Sequence, residues 1–98
     1  MITEHAVLNI VPGREVEFER ALAEAAPLIA GADGFVDLRV ERCVEDPSCY
    51  LLLVRWQSLE AHTQGFRGSP AYQQWRRLLH HLYDPFPTVR HFETTLTA

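Results

Sequence analysis

Residues 50–56, YLLLVRW, are apolar at both of their alternating sets of positions. Successive side chains of a strand point to opposite faces, so this stretch asks for cover on both sides. A chain of 98 residues holds one domain, taken here as residues 1–98. A domain of this size buries only roughly 60–70% of its unfolded surface, so a central strand strains its own supply of cover.

The remaining elements follow from periodicity. Residues 2–11, ITEHAVLNIV, alternate as a strand, with Ile2, Ala6, Leu8 and Ile10 on one face and His5, Val7, Asn9 and Val11 on the other. Pro12-Gly13 ends it. REVEFERALAEAAPLIAG then shows a helical stripe of Phe18, Leu22, Ala25 and Ile29, with early glutamates suited to the positive end of the dipole. Pro27 is expected to kink this helix or to start a separate last turn. FVDLRVERC alternates again, Val36, Leu38 and Val40 against Asp37, Arg39 and Glu41. After YLLLVRW, Ser58 is placed to cap a short helix, and Ser69-Pro70 to start a longer one, AYQQWRRLLHHLY. Its apolar stripe is Tyr72, Trp75, Leu79 and Leu82. PTVRHFETTLT reads as a last strand of high β-propensity.

The order is β-α-β-β-α-β with the second helix in two pieces. That is the α+β ferredoxin-like pattern, an antiparallel four-stranded sheet with its helices on one face. Such helices leave the other face of YLLLVRW uncovered. A second copy packed sheet against sheet, in a two-fold homodimer, is the simplest cover.

The formal net charge of −4, and nine arginines with no lysine, argue against a nucleic-acid partner and exclude Schiff-base lysine chemistry. No stretch has the roughly 20 apolar residues of a membrane-spanning helix. The start of the chain lacks a basic region followed by an apolar run, so a cytoplasmic protein is expected. Cys43 and Cys49 flank VEDPS, a hairpin turn. A disulfide across it is geometrically conceivable, and two reduced thiols are the expectation in a reducing compartment. Arg39 and Arg55 on strands are expected to pair with a carboxylate such as Asp37 or Glu41.

The histidines carry the chemistry. On a helical wheel with Trp75 at zero, His80 falls near 140° and His81 near −120°, at about 100° per residue. Both therefore point away from the apolar stripe and from each other, which suits a helix end or subunit contact better than a metal site. His62 is placed differently. Leu59, His62, Thr63 and Phe66 share one face of the short helix by i, i+3, i+4, i+7 spacing, and that face looks toward the sheet with Tyr72 and Trp75. A histidine among aromatics is either a core group satisfied by a backbone carbonyl or a pocket base. Tyr72 and Trp75 are correspondingly core or pocket wall.

The segments VPGREVEFERAL, GADGFVDLRVERCVEDPSCYLLLVRWQSLEAHTQGFRGSPAYQQW and HHLYDPFPTVRHFE resemble the antibiotic biosynthesis monooxygenase (ABM) domain family over about residues 2–93. The pieces that carry the likeness are Pro12-Gly13 before Phe18, Gly34, the strand ending in Trp56, the Ser58 to His62 helix, and Ser69 before Tyr72. The resemblance implies a dimeric α+β barrel with one small pocket per subunit between sheet and helices. It also implies varied functions: cofactor-independent oxygenation of anthrones and quinols, haem degradation, or none. The haem-degrading pattern would place Asn at Ala6, Trp at Gly65 and His near Trp75 or Arg76, and none of the three matches. Quinol-type members more often carry a histidine where His62 stands.

The resemblance therefore implies a monooxygenase acting on a small hydroxylated aromatic with dioxygen, and no metal, flavin or haem. His62 would deprotonate or orient the hydroxyl, while Phe66, Tyr72 and Trp75 pack against the ring. The competing reading is a non-catalytic dimeric small-molecule-binding or stress-response module on the same scaffold. A cavity of several hundred Å³ with His62 in its wall would favour the enzyme, and a filled one the module.

Overall fold

The computed structural model describes residues 1–98. Strand β1 (Ile2–Asn9) leads into helix α1 (Glu15–Ala30). Strands β2 (Phe35–Arg42) and β3 (Cys49–Trp56) form a hairpin. A short π-helical segment (Ala61–Phe66), helix α2 (Pro70–Leu79) and a 3-10 turn (His80–Leu82) precede strand β4 (Val89–Phe92). The sheet order is β2-β3-β1-β4, antiparallel throughout. This is the ferredoxin-like α+β architecture that the element order predicts.

Strand β3 is central, and its two faces differ. Tyr50, Leu52, Val54 and Trp56 are buried under the helices, against Ala6 and Leu8 of β1 and Phe18, Ala25 and Ile29 of α1. Leu51 and Leu53 on the opposite face are only half-buried, and Val7 and Phe92 beside them are 42% and 44% exposed. His5 lies on this outer face, as alternation predicts, its ring edge-on to Phe92 with centroids 5.5 Å apart. The strand arginines pair as expected. Arg55 Nε donates to Asp37 Oδ1 at 2.9 Å, and Arg39 lies 3.4 Å from Glu41.

Four details depart from the sequence reading. Helix α1 runs through Pro27 as one element, so of the two expectations there it is the separate last turn that fails. The proline lies close to the helix end, where few backbone bonds are at stake, and the Gly31 N–H closes that end on the Pro27 carbonyl at 3.2 Å. Val36 is an extra residue in β2, because Phe35 pairs with Trp56 and Asp37 with Arg55. The bulge puts Phe35, rather than Val36, edge-on to Trp56 in the core. Strand β4 stops at Phe92, opposite Thr3 of β1, although its sequence favours strand further on. Helix α2 tightens to a 3-10 turn at His80, which changes where that side chain points. Cys43 and Cys49 are free thiols, with the Cys43 N–H bonded to the Cys49 carbonyl at 2.8 Å.

Gly34 sets the approach of the π-helical segment. Its φ is +84°, and a Cβ there would lie 2.6 Å from the Ala61 Cβ. Only glycine satisfies both the left-handed turn and the close packing.

Candidate functional site between sheet and helices

Ser58 begins the site. Its Oγ accepts the Ala61 N–H at 3.2 Å and starts the turn that follows β3. The turn then widens, with the Arg67 N–H reaching back five residues to the His62 carbonyl at 3.1 Å. Such π-helical widening shifts the phase of a helix. Consequently His62 and Phe66 are buried, at 3% and 2% exposure, while Leu59 is 40% exposed and Thr63 is only half-buried. The Thr63 hydroxyl bonds instead to the Leu59 carbonyl. The four-residue face expected from α-periodicity is thus reduced to His62 and Phe66.

His62 stacks on Trp56, with centroids 5.3 Å apart and rings 18° from parallel. Its Nε2 lies 3.3 Å from Glu4 Oε1, and its Nδ1 lies 2.8 Å from His91 Nε2. The Trp56 indole N–H donates to the same Glu4 oxygen at 3.0 Å. Glu4 and His91 are cross-strand partners on β1 and β4, so the sheet register itself brings the two side chains to the covered face. Burial pushes the His62 pKa down to about 3, helped by the Arg67 charge and by His91. Burial raises the Glu4 pKa, against the Trp56 hydrogen bond and the Arg67 charge. The Glu4–His62 contact therefore involves a neutral imidazole near neutral pH and is not an ion pair.

Glu4 and His62 border a cavity of about 70 Å³, together with Phe66, Tyr72 and Trp75. All four residues singled out in the sequence thus border one space. Tyr72 and Trp75 are core and wall at once: Trp75 is buried, Tyr72 is half-buried, and both stand edge-on to Phe66. Ser69 caps their helix, accepting the Tyr72 N–H at 3.2 Å.

The far wall corrects the placement of His80. It does not point away from the core side. The tighter turn brings it against Tyr72, Tyr83 and Phe86, with centroid distances of 6.0, 5.4 and 5.0 Å, and burial lowers its pKa to about 4. His81 does face outward, 3.7 Å from Glu17 on α1. Phe86, on the DPFP connector, is 62% exposed and lines the cavity. Arg67, exposed at the end of the π-helical segment, supplies the nearby positive charge.

Glu4, His91, Arg67 and His80 were not singled out as site residues by the sequence reading. Glu4 could have been found, because it sits between Ile2 and Ala6 on the apolar face of β1. A carboxylate there needs partners.

The antibiotic biosynthesis monooxygenase family model matches residues 1–78. The Bacillus subtilis (strain 168) protein YczJ is 52% identical over 93 residues, covering 95% of this chain and 98% of that one. A crystal structure from Bordetella bronchiseptica, assigned as an antibiotic biosynthesis monooxygenase, superposes with a TM-score of 0.92 at 36% identity, covering 97% of each chain. SnoaB, a cofactor-independent oxygenase from Streptomyces nogalater, shares the fold with a TM-score of 0.86 at 21% identity, covering 98% of this chain and 94% of that one. The chain belongs to the antibiotic biosynthesis monooxygenase family.

Proposed function

We propose that the protein is a cofactor-independent monooxygenase acting on a small hydroxylated aromatic of quinol or anthrone type. The observation that carries this reading is a buried carboxyl–imidazole pair, Glu4 and His62, in the wall of an otherwise aromatic cavity. Dioxygen reacts slowly with closed-shell molecules, but the anion of an electron-rich phenol or anthrone gives up an electron directly. The substrate is then its own reductant: a CH2 group and O2 become C=O and H2O. The protein has to bind the ring, remove a proton and favour the anion. His62 belongs to the proton-handling group, Phe66, Tyr72 and Trp75 pack the ring, and the Arg67 charge favours the anion. Membership of a monooxygenase family, and a shared fold with SnoaB, support the same reading.

The test is oxygen uptake by the purified, metal-free protein on a panel of anthrones, quinols and catechols. The controls are His62→Ala and an assay without protein, since such compounds autoxidise. Uptake above the control is expected, falling about 100-fold in the variant. No uptake on any compound would favour a dimeric small-molecule-binding or stress-response module. One observation favours that second reading: about 70 Å³ is far below the several hundred Å³ of a typical ligand site, so an aromatic ring fits only if the cavity widens.

The half-exposed leucines of β3 support a homodimer joined through the outer sheet faces. Light scattering is expected to give twice the chain mass, and Leu53→Arg to halve it. A wild-type monomer would remove this assembly.

A further inference from the structure

Resting on the oxygenase reading of the cavity, the polar contacts of Glu4, His62 and His91 set up a division of labour within it. Both ring nitrogens of His62 are already engaged, Nε2 with Glu4 and Nδ1 with His91. An imidazole so held has no free nitrogen for a substrate hydroxyl. Glu4 does have a free atom. Its Oε1 takes both the Trp56 N–H and the His62 contact, while Oε2 has no protein partner. Glu4 is only 5% exposed, yet no polar side-chain atom in the protein is both sealed from solvent and without a hydrogen bond. Oε2 therefore keeps some accessible surface, and Glu4 is one of the residues that line the cavity.

We infer that Glu4, His62 and His91 form one proton path. At its start the Glu4 carboxyl carries its proton on Oε1, facing His62 Nε2, and His62 Nδ1–H donates to His91 Nε2. Oε2 then takes the proton of the bound hydroxyl as the Oε1 proton passes to His62 Nε2, the His62 Nδ1 proton passes to His91 Nε2, and His91 Nδ1–H is released to solvent. The substrate becomes an anion, the carboxyl keeps one proton, now on Oε2, and His91 Nε2–H donates to His62 Nδ1. The reverse transfers return the proton as the oxygenated product forms and water leaves. The short Nδ1 to Nε2 separation of 2.8 Å suits either direction. Trp56 can only donate, so it pins Oε1 in both states. The other groups that set the balance are Arg67 from the end of the π-helical segment, Tyr72 on α2, and His80 and Tyr83 across the cavity. In this scheme Glu4 is the catalytic base, and His62 and His91 are positioning and relay residues.

Two measurements decide it. In the first, the protein alone, labelled at glutamate carboxyl carbons and imidazole nitrogens, is titrated by NMR. A coupled path predicts that the Glu4 carboxyl and the His62 and His91 nitrogens shift together, and that Glu4→Gln moves the His91 titration. Independent titrations, with Glu4 in the ordinary carboxylate range, would overturn the path. In the second, oxygen uptake on 1,8-dihydroxyanthrone is followed against pH. Glu4→Gln is expected to lower kcat about 100-fold with KM changed less than about threefold. His91→Ala is expected to lose about tenfold and to recover with added imidazole, which a purely structural role would not allow. Wild-type kcat in Glu4→Gln would overturn Glu4 as the base. A coupled titration in a protein that consumes no oxygen would support the path and sink the oxygenase reading alone.

Discussion

Trp56→Ala is expected to leave the chain largely unfolded at 25 °C. Trp56 is fully buried, packs edge-on against Phe35, stacks on His62 and touches Phe66. Truncating a buried tryptophan costs about 3–5 kcal/mol. Its indole N–H is also the donor to the buried Glu4 carboxyl, and loss of that partner adds about 1–3 kcal/mol. The sum approaches the whole stability of a domain this small, about 5–15 kcal/mol. Trp56→Phe isolates the polar part. It keeps most of the packing, so about 1–3 kcal/mol should be lost and the Glu4 pKa should rise further, since the Trp56 hydrogen bond opposes the effect of burial. Urea unfolding of both variants, with the midpoint and slope compared with wild type, checks this. Equal losses in the two would mean that the indole N–H, and not the packing of the ring, carries the effect.

The second large effect is on acid. Burial lowers the His62 pKa from 6.5 to about 3 and that of His80 to about 4. Below pH 6.5 the unfolded chain takes up protons that these folded imidazoles refuse, so stability falls as pH falls. A fully buried imidazole contributes roughly 1.4 kcal/mol per pH unit across its window, and half-buried His80 contributes less because solvent screens it. Glu4 works in the opposite sense. Its raised pKa makes the folded state bind a proton more tightly, a contribution fully present below 4.5 and lost as pH rises through the folded value. Two histidines outweigh one carboxyl, so a net loss is expected from pH 6.5 downward. For His62, buried beside Glu4, the total is on the order of a few kcal/mol. The check is urea unfolding at a series of pH values from 7 to 4. His62→Gln should flatten the slope whatever its effect at pH 7, and an unchanged slope would mean that His62 titrates normally in the fold.

The order of elements and the faces of the strands were legible because period-two and helical stripes are strong signals over eight or more residues. YLLLVRW announced a central strand, and the burial of Tyr50, Leu52, Val54 and Trp56 follows its alternation. His62, Phe66, Tyr72 and Trp75 could be gathered toward one space for the same reason. What stayed hidden depends on local departures from regular period. The Val36 bulge, the widened turn at Ala61–Phe66 and the tightened turn at His80 each rotate side chains by a fraction of a turn, and none has a composition signature. Glu4 and His91 meet through strand register, a long-range property that neither local segment carries.

The widened turn also affects how this chain is compared with its relatives. An α-helix advances about 3.6 residues per turn, and a π turn takes about one more. A position counted forward from Trp56 through Ala61–Phe66 is therefore out of phase with one counted backward from Pro70. The residues at stake include His62 and Gly65, the two positions on which functional correspondences within the family would be judged. For this fold, equivalence across the segment is better assigned by what a side chain touches, such as the Trp56 ring or the Glu4 carboxyl, than by its place in the line of letters.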